Sequence, residues 1–236
     1  MNEFSQALLA YHNGDFSAEL LIRRDDGFQD RVPASVFFDE SKFSSLDRKA
    51  LDLCVGRILD VGAAAGRHSL SLVRSGMNVT SMDILPEMES ILRDRGAEQV
   101  VISDIMAFSQ NQFGTLLMLM NGIGMVGTIE GLRKFLRHAH RIVTPEGQIL
   151  CDSVDVSVTS NPIHVAYRNQ NADREIPLGQ QTLTIEYDGI SGKPFNWIHI
   201  DFESLVEISR TEGWNSELID QDDGGHFLSR LTKRAG

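Results

Sequence analysis

The segment Ile58-Leu-Asp-Val-Gly-Ala-Ala-Ala-Gly-Arg-His68 constrains this chain more than any other. Its apolar start reads as a strand ending in Asp60, and Gly62 and Gly66 read as a tight turn opening into a helix. Glycine is needed where backbone turns sharply or lies close to a ligand, because it has no Cβ to clash and accepts positive φ. A dinucleotide fingerprint would place Gly-x-Gly-x-x-Gly after the strand. Here an Asp stands two residues before the first Gly, and the next Gly follows four residues later. An ordinary strand-to-helix turn can also carry two glycines, so the neighbouring segments matter. A second strand over 78–82 ends in Asp83, and a third over 99–103 ends in Asp104. A carboxylate at the end of the second strand, about 20 residues after the turn, is where this architecture grips a ribose diol.

Strand and helix continue to alternate along the chain. Leu46, Ala50, Leu53 and Cys54 recur at helical spacing behind a Ser44/Asp47 capping pattern. Pro86 fits the first turn of a further helix and Gly96 its end. The apolar run Thr115–Met120 reads as a strand buried on both faces. Thr128 starts a helix with Leu132, Phe135, Leu136, Ala139 and Val143 on one stripe, ended by Pro145-Glu-Gly147, and Gln148–Ser153 follows as a fifth strand. Such alternation forces right-handed crossovers and a parallel sheet with helices on both faces. Beyond it, 182–187 and 195–200 read as two strands joined by a loop, 202–212 as a helix, and Asp222–Gly225 as the turn of a last hairpin.

The glycine turn, the three aspartates in order, and the ending of helix, Gly213-Trp214, strand, turn and strand resemble class I S-adenosylmethionine-dependent methyltransferases over roughly 43–153 and 202–233. Residues 120–128 and 192–197 resemble segments of a bacterial branch of that family. The resemblance implies an α/β, Rossmann-like doubly wound, mostly parallel seven-stranded sheet with an antiparallel last strand. It divides the chain into an N-terminal cap (1–42) and a methyltransferase domain (43–236) with a substrate-side insertion, a small β-hairpin, at 155–201. It also implies that S-adenosylmethionine, leaving as S-adenosylhomocysteine, is held by Asp60, Gly62, Ala63, Ala64, Gly66, Asp83, Ile84, Asp104, Ile105 and Asn121. Asp60 falls to the methionyl ammonium, Asp83 to the ribose and Asp104 to the adenine amino group. Ala64 departs from the family's usual middle glycine.

The expected reaction is in-line attack of an O, N or C nucleophile of a small molecule on the sulfonium methyl. A non-catalytic S-adenosylmethionine-binding module and an NAD-dependent oxidoreductase are the alternatives. His226 is the first candidate base and His68 the second, each set against a structural histidine. Topology places Asp152 and Asp155 on the functional edge, as substrate ligands or loop caps, while Tyr11 and Phe38 of the N-terminal segment are candidates for covering the substrate. His138 and His140 read as solvated.

With 22 basic and 33 acidic residues the net charge is −11, so a phosphate backbone or an anionic membrane would be approached against repulsion. Asn121-Gly-Ile-Gly124 lacks the Asn-Pro-Pro pattern of many amino-methylating nucleic-acid enzymes, which again favours a small-molecule acceptor and no nucleic acid. No apolar run reaches the ~20 residues that span a bilayer and no leader is visible, so a cytoplasmic monomer or homodimer without membrane attachment or metal is expected. Cys54 and Cys151 read as small buried hydrophobes.

Overall fold

Ile58, Leu59 and Val61 are buried together with the intervening Asp60, so their strand is covered on both faces, as a central parallel strand must be. The computed structural model describes residues 2–110 and 112–234. Its elements run α1 (Asn2–His12), β1 (Glu19–Arg24), β2 (Gln29–Pro33), α2 (Ser45–Asp52), β3 (Ile58–Val61), α3 (Arg67–Arg74), β4 (Val79–Asp83), α4 (Met88–Asp94), β5 (Gln99–Ile102) and β6 (Phe113–Met118). There follow α5 (Ile129–Ala139), β7 (Val143–Val154), α6 (Pro162–Asp173), β8 (Gln180–Tyr187), β9 (Ile190–Ser191), β10 (Phe195–Ile198), α7 (Phe202–Thr211), β11 (Trp214–Gln221) and β12 (His226–Lys233).

A seven-stranded sheet has the order β11-β12-β7-β6-β3-β4-β5. The runs β3-β4-β5 and β6-β7 are parallel, and β12 is antiparallel to both its neighbours. This is the doubly wound, Rossmann-like arrangement with an antiparallel last strand. A second sheet runs β10-β8-β1-β2 with β9 on β8. The hairpin expected in the insertion therefore does not stand alone: β8 pairs with β1, which pairs with β2, so the N-terminal segment supplies two strands. No helix among the described residues is long and apolar enough to cross a membrane.

Two compact units divide the chain. The first comprises the residues up to Ser44, 57–108 and 182–195; the second comprises 45–56, 109–181 and Asn196 onward. In the first, Ala63, Ala64 and Ala65 of the glycine turn share one core with Leu8 of α1, Leu20 of β1, Ala34, Leu70, Ile91, Leu92 and Ile185. Fully burying a leucine contributes about 1.5–3 kcal/mol, so this shared core ties the N-terminal segment to the turn. In the second, Thr128 caps α5 by accepting from the Gly131 amide, worth about 1 kcal/mol. The same unit buries Trp214, whose Nε1 donates to the Leu136 carbonyl at 3.0 Å.

Three sequence readings change. Asp60 is the penultimate residue of its strand, which ends at Val61. Helix α5 stops at Ala139, and Val143, expected on its stripe, instead opens β7 opposite Phe113. The pairing then jumps to Thr115 opposite Gln148, leaving Pro145, which has no N–H to donate, in a bulge. His140 is not solvated: its ring lies 4.5 Å from that of Trp214, and Nε2 is 2.8 Å from the Glu212 carbonyl oxygen. Both cysteines are free and buried as expected, and burial pushes the Cys151 thiol up to about 12.

Candidate functional site

The amides of Gly62 and Ala63 both donate to the Met82 carbonyl, at 2.9 and 2.8 Å, so the turn folds back over the end of β4. Ala64 then takes φ +48°, which aims its amide at Asp83 Oδ2, 2.9 Å away. A left-handed alanine costs about 1–2 kcal/mol, and the ordinary occupant would be glycine. Gly66 also has positive φ (+81°), and a Cβ there would lie 2.7 Å from Leu92 Cδ2. Helix α3 starts directly behind it with Arg67.

Asp83 accepts from Ala64 on one oxygen and from the Leu85 amide, at 2.9 Å, on the other. Each carboxylate oxygen can accept more than one donor, so capacity for a diol remains. Burial holds the carboxyl above the usual carboxylate range, and the amides of Leu85 and Ala64 oppose that shift. Directly after it, Ile84 is 48% exposed, an apolar side chain with nothing covering much of its surface. Asp104 is exposed and accepts from the Met106 amide at 2.8 Å; Ile105 beside it is half-buried. From residue 62 to 66 no side chain exceeds a methyl group, which is what a ligand lying against backbone requires.

Asp60 is fully enclosed. Its Oδ2 accepts from Ser69 Oγ at 2.5 Å, and burial raises its pKa against the opposing effects of the nearby His68 and of Ser69. His68 is buried too, its ring stacked on Phe43 with centroids 5.2 Å apart. Tyr11 and Phe38 are half-buried and pack on one another, with centroids 4.7 Å apart. All of these residues belong to the first unit.

The remaining candidates belong to the second unit. Asn121 follows β6 with φ +56°, and its Oδ1 is buried with no hydrogen-bond partner among the described residues. Asp152 Oδ1 accepts from the Gly122 amide at 3.3 Å. Asp155 Oδ1 accepts from the Ser157 amide at 2.8 Å, a loop cap, while its own amide donates to the Gly225 carbonyl at 2.9 Å. His226 sits opposite Val154 at the carboxyl end of β7, so the turn Asp222–Gly225 lies at that end of the strand. Its ring is half exposed, with Nδ1 3.4 Å from Asp222 Oδ2.

Some contacts were not legible beforehand. Arg95 and Arg67 both reach backbone of the N-terminal segment, and no local pattern announces a guanidinium that pairs with carbonyls from a distant stretch. Gly124 lacks a Cβ where the indole of Trp197 packs, so two segments singled out separately, 120–128 and 192–197, contribute to one contact.

Residues 59–151 match the methyltransferase domain family. Over 113 residues the chain is 26% identical to a ubiquinone biosynthesis O-methyltransferase of Xanthomonas oryzae pv. oryzae, covering 44% of this chain. The match spans about half of that relative's length, 46%. A crystal structure of a SAM-dependent methyltransferase from Bacteroides fragilis, in complex with S-adenosyl-L-homocysteine, superposes with a TM-score of 0.87 at 28% identity, covering 99% of this chain and 95% of that one. The CcbJ methyltransferase of Streptomyces caelestis superposes at 0.60 with 13% identity, covering 84% and 93%, and speaks to fold alone.

Proposed function

We propose that this chain, which carries an S-adenosylmethionine-dependent methyltransferase domain, moves a methyl group to an O, N or C nucleophile of a small molecule. The observation that carries the reading is the turn at 62–66. Its left-handed Ala64 is bonded to the Asp83 carboxylate, which keeps further acceptor capacity, and the exposed Ile84 follows directly. Such a constellation suits a nucleoside: a carboxylate for the ribose, an apolar surface for the base, and Asp104 with Ile105 beyond. Gly62, Ala63, Ala64 and Gly66 offer the close backbone approach, and Asp60 offers its negative charge toward an ammonium.

S-adenosylmethionine supplies a sulfonium methyl whose transfer neutralises the positive charge. The protein's contribution is chiefly alignment, since holding the reactants in line at ~3–3.5 Å provides much of the rate. His226, half exposed, is the group assigned to take the acceptor's proton. His68, buried and stacked on Phe43, stands second to it as the candidate base. Asn121 Oδ1 and Asp152 offer acceptor atoms to a bound ligand, and Asp155 orders its loop. The Xanthomonas relative's name favours oxygen as the nucleophile. Net charge −11 supports a small acceptor over nucleic acid. Calorimetric titration with S-adenosylhomocysteine and with NAD tests the cofactor, and transfer of labelled methyl to a panel of small hydroxy and amino compounds tests the reaction. Binding of NAD alone, or binding without any transfer, would reject it.

A further inference from the structure

The strained turn at Ala64 needs restraint from both sides, because such backbone persists only where its surroundings over-determine it. Asp83 supplies one side through the Ala64 amide. The other side is a single guanidinium. Arg95, just past α4, donates from Nη1 to the Ala65 carbonyl and from Nη2 to the Phe38 carbonyl at 2.9 Å. Its Cζ also lies 4.8 Å from the centroid of the Phe38 ring. A planar, forked cation can serve two carbonyls and stack on a ring at once, which a lysine's compact ammonium cannot.

The segment that carries Phe38 is attached to the same region at further points. Arg67, the residue after Gly66, donates from Nη1 to the Val36 carbonyl at 2.9 Å and places Cζ 4.8 Å from the Phe43 ring centroid. His68 stacks on Phe43, and Arg74 pairs with Glu40. Two short 3-10 turns, Ala34–Phe37 and Glu40–Lys42, make the segment a compact strap held largely by side-chain contacts. Holding Ala65 and Phe38 with one group makes the loop's geometry depend on the strap's position.

Resting on the reading of 62–66 as the cofactor loop, we propose that Arg95 is a positioning residue that clamps residues 34–43 onto that loop. Strap closure and cofactor binding are then one coupled equilibrium. Coupling of this kind is reciprocal: what loosens the strap weakens the cofactor, and the cofactor tightens the strap.

The test uses the full chain and S-adenosylhomocysteine as the probe. Calorimetry should show affinity about tenfold weaker in Arg95→Ala and in Arg95→Lys, the order expected for losing a charge-assisted hydrogen bond. Arg93→Ala, which removes an exposed pair with Glu89 on the same helix, should bind as wild type does. The second readout is trypsin cleavage after the exposed Lys42. Saturating S-adenosylhomocysteine should slow that cleavage in the wild type but not in Arg95→Ala, a difference that weaker affinity alone would not produce. Should Arg95→Ala fail to fold, Arg95→Lys decides. Wild-type affinity in the Arg95 variants, or full protection of Lys42 in Arg95→Ala at saturation, overturns the clamp. A wild-type chain that binds no S-adenosylhomocysteine overturns the cofactor reading and the clamp with it.

Discussion

Replacing Ala64 by glycine, with Ala63 as its control, measures the strain stored in the turn. The two alanines are neighbours in one core and equally buried, each 8% exposed, but only Ala64 has positive φ, +48°. At either site glycine loses a buried methyl, about 0.8 kcal/mol, and gains unfolded-chain freedom worth about 0.4–1 kcal/mol. Ala63→Gly should therefore cost about 1.2–1.8 kcal/mol. At residue 64 the same losses are offset by relief of a left-handed alanine, about 1–2 kcal/mol, so Ala64→Gly should be close to neutral. One kcal/mol shifts the melting temperature of a chain this size by roughly 2–4 °C, so the two variants should separate by about 2–8 °C with Ala64→Gly the higher. Scanning calorimetry of both without ligand reads this directly, and S-adenosylhomocysteine titration should find Ala64→Gly fully competent. Equal melting temperatures, or a lower one for Ala64→Gly, would show that the turn holds no such strain.

Asp83→Asn and Asp83→Ala should each weaken S-adenosylhomocysteine by about tenfold to a hundredfold in calorimetry. The alanine variant should also lose stability, about 1–3 kcal/mol for each amide left unpaired at Ala64 and Leu85; unchanged affinity in both would remove the ribose assignment. Burial raises the Asp60 pKa, so its contribution to stability is greatest below the unfolded carboxylate value, near 3.9, and is lost as pH rises through the raised one. Asp60→Asn, which cannot ionise, should therefore gain in melting temperature relative to wild type as pH increases from about 4, and a gap that narrows instead would contradict the buried-charge account. His226→Ala should reduce turnover, by up to about 10²–10⁴ if the imidazole takes the proton, while leaving S-adenosylhomocysteine affinity unchanged; weakened cofactor binding with a normal rate at saturation would remove it from the acceptor's side.

The sequence by itself determined what local physics can encode. Gly62 and Gly66 mark the turn because few other residues take positive φ cheaply, and Asp83 falls at the end of a short buried strand, where a carboxylate finds loop amides as partners. Thr128 announces its helix by the cap it forms. Tertiary structure alone decided the rest, wherever the partner comes from far along the chain. The end of α5 was set by the pairing of Val143 with Phe113, which competes with one more helical turn and wins. Strand β8 has the same alternation whether it closes a lone hairpin or pairs with β1, and only the fold showed the second. Arg95 looked like any basic residue at a helix end, but the carbonyls of Phe38 and Ala65 gave it its place. Periodicity and turn chemistry act over a few residues, whereas side chains and strand edges choose partners by proximity, which only the folded chain supplies.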